Sequence, residues 1–109
     1  MGDRGNICMK MKKGGEIYFY THWEGSNLAQ ALRSALIRGR DRWKDESYLA
    51  RIIFSELIQD DILDTCGYGI STYLTDNEHD ILYVDVSKQL ITLRGKTYTL
   101  EEFLINNDS

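Results

Sequence analysis

Arg33, Arg38, Arg40, Arg42 and Lys44 fall within twelve residues, opposed only by Asp41, and Trp43 sits among their cationic groups. Arginine forks hold phosphate or carboxylate through paired hydrogen bonds, and an indole beside them can stack on a base. The pattern points to an anionic ligand contacted by Arg38, Arg40, Arg42 and Trp43. The competing reading is structural. A helix C-terminus favours cations through its dipole, Trp43 closes the edge of a core, and the arginines pair with acids elsewhere.

A second group is Tyr20-Thr21-His22-Trp23-Glu24-Gly25-Ser26, where a strand runs into a helix. The free N–H groups at a helix start form an anion seat, to which His22, Trp23 and Ser26 can add contacts. Otherwise Ser26 is a cap, Trp23 a hydrophobic staple and His22 a surface histidine. Elsewhere the signals are weaker. Asp76, Glu78, His79 and Asp80 have the donor types of a divalent-ion site, but their spacing matches no EF-hand, so no metal is assigned. Gly67-Tyr68-Gly69-Ile70-Ser71-Thr72 lacks both the GK[ST] ending of a P-loop and a following helix. Cys66 with His22 or His79 has the residue types of a nucleophile and base without a flanking signature. No catalytic residue and no cofactor follow.

The elements that must position these groups are readable from periodicity. Ile7 to Lys12 alternates apolar and polar, Lys13-Gly14-Gly15 turns, and Glu16 to Thr21 returns as the second strand of a hairpin. Ser26 or Asn27 then caps a helix whose stripe is Leu28, Leu32, Ala35 and Leu36, stopped by Gly39. A second helix runs from Asp45 or Ser47 to Gln59, with Leu49, Ile52, Ile53, Glu56 and Leu57 marking its spacing. Strands follow from Tyr68 to Tyr73 or Leu74, Ile81 to Val86 and Leu90 to Leu93. A hairpin turn lies at Asp76-Asn77-Glu78-His79-Asp80, and Gly95-Lys96 ends the last strand. Thr99 with Glu102 is a capping box opening a short helix from Leu100 to Ile105. The order β-β-α-α-β-β-β-α describes a single α+β domain, a mainly antiparallel sheet with a helical pair on one face.

The chain has 109 residues, 42% hydrophobic and 28% charged, which suits one globular domain over 1–109 and excludes a disordered chain. No apolar run approaches the ~20 residues of a membrane span, and no signal peptide is recognisable, so the expectation is a cytoplasmic protein with Cys8 and Cys66 reduced. The net charge of −4 hides a division: residues 1–51 carry ten Lys/Arg against six Asp/Glu, and residues 52–109 carry three against eleven. Eight acids and no Lys or Arg lie between Arg51 and Lys88.

Gly2-Asp3-Arg4-Gly5-Asn6-Ile7, Tyr20-Thr21-His22-Trp23, Arg38-Gly39-Arg40-Asp41-Arg42-Trp43, Tyr48-Leu49-Ala50-Arg51-Ile52, Gly67-Tyr68-Gly69-Ile70-Ser71 and Asp76-Asn77-Glu78-His79 occur in that order. In these segments the chain resembles a family of small uncharacterised proteins encoded by bacteria and their phages. The likeness spans roughly residues 2–86; where the family has Gly-Gly after its histidine-tryptophan pair, this chain has Glu24-Gly25. The resemblance implies a cytosolic, phage-encoded protein and no named activity.

The functional expectation is a non-enzymatic binding protein that captures an anionic small molecule, such as a nucleotide or cyclic nucleotide, between the His22-Trp23 and Arg40-Arg42-Trp43 loops. The alternatives are a protein-interaction module, for example an inhibitor of a host protein acting through its acidic half, and a small hydrolase. Duplex DNA is excluded as a partner by a pI near 5.1, and a membrane by the lack of an apolar span. A homodimer is expected, because an aromatic hairpin leaves a sheet edge or aromatic patch uncovered.

Overall fold

The structure, a computed structural model, describes residues 2–105. The alternation of the first segment extends it over Gly5–Lys10 (β1), and Gly14 and Gly15, both at positive φ, turn it back along Glu16–Thr21 (β2). A single 3-10 turn at Gly25–Asn27 leads into Leu28–Arg38 (α1), and a second at Arg40–Arg42 leads to Glu46–Ile58 (α2). Tyr68–Ser71 (β3), Leu82–Asp85 (β4), Leu90–Leu93 (β5), Lys96–Thr99 (β6) and Leu100–Ile105 (α3) complete the chain.

The six strands form one sheet in the order β3-β2-β1-β4-β5-β6, with β1 and β4 parallel and every other pair antiparallel. Ile7, Met9, Phe19, Leu82, Val84 and Ile91 point to one face. There they meet the apolar stripes of the helices, in which Leu32, Leu36, Leu49, Ile53 and Phe103 are almost wholly buried. Each such side chain contributes about 1.5–3 kcal/mol by leaving water. This is the expected α+β architecture, and the stripe Leu28, Leu32, Ala35 and Leu36 is the buried face of α1.

The structure corrects two details. The strand Leu90–Leu93 does end before Gly95, but a sixth strand follows: Arg94 and Gly95 both lie at positive φ (52° and 79°), the backbone of a two-residue hairpin turn, and β6 pairs with β5 through it. Asp76–Asp80 is not a hairpin turn. β3 is an edge strand beside β2, whereas β4 lies on the far side of β1, so the segment between them crosses the sheet past the Gly5 end of β1. Among the described residues no helix is long and apolar enough to cross a membrane.

Candidate functional site

That crossover brings three separate stretches together. The Arg4 carbonyl accepts the Glu78 N–H (2.9 Å), and the Arg4 N–H donates to Glu78 Oε1 (2.8 Å). The Arg4 guanidinium spans Glu78 (3.2 Å) and Asp76 (3.4 Å); the Arg4 N–H first, and then this guanidinium, hold the Glu78 carboxyl below its usual range. Asn6, fully buried, donates through Nδ2 to the Asp76 carbonyl (2.9 Å) and Asn77 Oδ1 (3.2 Å). Asp3 joins the turn after β2: its N–H donates to the His22 carbonyl (2.6 Å) and its carbonyl accepts the Gly25 N–H (2.7 Å).

The Asp3 carboxylate is the hub. Oδ2 accepts both the Ser26 hydroxyl (2.5 Å) and the Ser26 N–H (3.0 Å), while Oδ1 bonds His79 Nε2. These bonds, those of Ser26 first, hold the Asp3 carboxyl down to about 2. An ionised carboxylate only accepts, so His79 Nε2 carries the hydrogen, and among the described residues Nδ1 has no hydrogen-bond partner. The carboxylate stands between hydroxyl and imidazole. Serine catalysis needs the imidazole to take the hydroxyl proton, so the trio is a fastening rather than a nucleophile with its base.

Gly25 lets the three stretches touch. A Cβ there would come within 2.6 Å of both the Asp3 carbonyl oxygen and His79 Cδ2. Glu24, beside it, sits at φ −115°, open to any residue. Beside this junction lies a cleft of about 570 Å³, lined by Ser26, Leu28, Ala29, Glu78, His79, Asp80 and Arg94 among others. The first turn of α1 forms one wall. Arg94 approaches Asp80 only at 4.0 Å.

The residues singled out by sequence separate into two sets. His22 shares a hydrogen bond with the Tyr20 hydroxyl (3.1 Å), and Trp23 stands edge-on to Tyr68 with ring centres 5.8 Å apart. Ser26 is the Asp3 partner described above, and no side-chain bond caps α1. At the other end of α1, Arg38 donates to Glu56 (3.1 Å), Ser55 (2.7 Å) and the Ile52 carbonyl (3.0 Å). Arg40 pairs with Glu101 and stacks over Trp43, and Arg42 pairs with Asp45 (3.0 Å) and stacks over Tyr48. Trp43 donates its indole N–H to the Leu36 carbonyl (2.9 Å). Arg33 is buried, with its guanidinium over the Phe103 ring and Nε on the Phe103 carbonyl.

Eleven helical residues, a rise of ~16 Å, separate the His22-Trp23 turn from the Arg40-Arg42-Trp43 loop, so the two do not face one another across one cavity. Asp3, Arg4, Asn6 and Arg94 were not candidates. Residues 2–7, 20–23 and 76–79, far apart in sequence, meet here. Compared with protein-family models, with curated proteins and with solved structures, the chain has no match among them.

Proposed function

We propose that this protein is a non-enzymatic binding protein for an anionic small molecule, a phosphate- or carboxylate-bearing ligand of nucleotide type, seated in the cleft beside His79. The observation that carries this reading is the cleft lining, which brings the Arg94 guanidinium and the His79 imidazole to the first turn of α1. A helix start carries positive partial charge, and a volume of this order suits a small ligand. Two of the acids nearby are already engaged, Glu78 by Arg4 and Asp3 by Ser26 and His79, while Asp80 stands 4.0 Å from Arg94. The arginines of the Arg38–Arg42 loop are held by Glu56, Glu101 and Asp45, which favours the cleft over the loop as the seat.

The test is thermal denaturation with inorganic phosphate and with nucleotides. At a ligand concentration a hundredfold above Kd the gain is about 2.7 kcal/mol, or roughly 10 °C in a domain of this size. Arg94→Ala and His79→Ala remove the shift, and Arg40→Ala with Arg42→Ala leaves it in place. The opposite dependence moves the ligand to the basic loop, and no shift with any anion refutes the reading.

A further inference from the structure

Pairing of Phe19 with Ile70 puts Ile70 on the helix-covered face of the sheet, yet Ile70 is 58% exposed. The reason is geometric: β3 is the last strand on that side, and α2 leaves it uncovered. Between α2 and this margin runs a groove of about 400 Å³ walled by Ile17, Phe19, Phe54, Ile58, Ile62 and Ile70. Of nine large hydrophobic side chains exposed among the described residues, five (Ile62, Leu63, Ile70, Tyr73 and Leu74) fall in residues 62–74, and two of these, Ile62 and Ile70, line the groove. Among the described residues the outer edge of β3 has no strand beyond it, so its backbone can pair with an added strand.

Charge selects the occupant. Asp60, Asp61 and Asp64 follow α2 directly, and among the described residues none of them forms an ion pair. Asp61 accepts the hydroxyl of Tyr68, the first residue of β3, at 3.1 Å, which places Asp61 at the start of the free edge, with Asp60 beside it in the adjoining depression between α1 and α2. No Lys or Arg lies between Arg51 and Lys88 to answer them. A second copy would bring the same acids and, from the groove lining, only Arg51.

We propose that the groove between α2 and the β3 edge docks an extended segment of another protein, one that alternates apolar side chains and carries Lys or Arg beside them. Alternate residues of such a strand enter the groove next to Ile70, and its cations reach Asp60, Asp61 and Asp64. This surface is separate from the cleft at His79, so either proposal can fail without the other.

The experiment is panning of a displayed random-peptide library on the wild-type protein, on Ile70→Glu and on Asp60→Lys with Asp64→Lys. All three substituted positions are exposed, so the fold is retained. Peptides enriched on wild type should alternate apolar residues with at least two Lys or Arg, and should bind Ile70→Glu at least about tenfold more weakly, since a carboxylate in an apolar groove is costly. Panning on the double lysine variant should keep the apolar alternation and lose the basic preference. No enrichment, equal binding to Ile70→Glu, or enriched peptides without cations overturns the proposal. So does a wild-type dimer that Ile70→Glu dissociates, which would make a second copy the occupant.

Discussion

Asp3 and His79 lie 76 residues apart in the chain and share a hydrogen bond, and the same Asp3 carboxylate holds the hydroxyl and N–H of Ser26. One carboxylate thereby ties the approach to β1, the entry to α1 and the crossover between β3 and β4. It also fixes which nitrogen of His79 carries the hydrogen.

Acid should loosen that tie in a defined window. The Asp3 carboxyl sits at about 2 in the folded chain against an ordinary 3.8, held there by Ser26 first and His79 next. A folded value below the unfolded one means that the contribution is complete above about pH 4 and is lost as pH falls toward 2. Asp3→Asn is therefore expected to lower the melting temperature at neutral pH and to lose less between about pH 4 and 2 than wild type does. Melting temperatures that fall in parallel through this window would contradict the assignment.

Gly67 and Trp23 form a second junction. Gly67 lies at φ 94°, and a Cβ there would stand 2.0 Å from Trp23 Cζ3. Gly67→Ala is expected to cost about 2 kcal/mol or more, combining left-handed strain with the ring contact. In a Trp23→Ala background only the strain remains, so the cost should shrink by about 1 kcal/mol. Chemical denaturation of the four proteins measures this coupling, and equal costs in the two backgrounds would exclude the indole as the obstacle.

Duplex DNA should bind poorly despite the run of cations. Arg38, Arg40 and Arg42 are each engaged by an acid of the same chain, and a pI near 5.1 is far from the >9 of dedicated nucleic-acid modules. Fluorescence anisotropy with a duplex of about 20 base pairs at ~50 mM salt should show no micromolar binding. Binding in that range with a steep salt dependence would recast the loop as a phosphate clamp.

Locally specified features were legible in the sequence. The capping box is formed as written, with Thr99 N–H on Glu102 Oε1 (2.8 Å) and Glu102 N–H on Thr99 Oγ1 (3.1 Å), and it opens a helix over Leu100–Ile105. The candidate site was legible only in pieces. His22, Trp23 and Ser26 were named because they stand at a strand-to-helix turn, but the partners of Ser26 and its neighbours, Asp3 and His79, lie at distant positions. The arginines of the 38–42 loop were visible as charge, whereas the acids that engage them come from α2, from α3 and from the residue before α2.

Periodicity by itself determined the α+β class, both long helices and their buried stripes, because these depend on neighbours within one turn or one hairpin. The tertiary structure decided where β4 pairs. A turn-like stretch between two strands reads as a hairpin, but β1 offered a free edge opposite β2, and burial of Leu82 and Val84 beside Ile7 and Met9 placed β4 there in parallel. That single choice carries Asp76–His79 past Asp3, Arg4 and Asn6, and leaves β3 as an open edge above the apolar groove. Contacts between residues some 70 positions apart are set by which strands pair, and strand pairing follows the burial of a whole sheet face, which no local window contains.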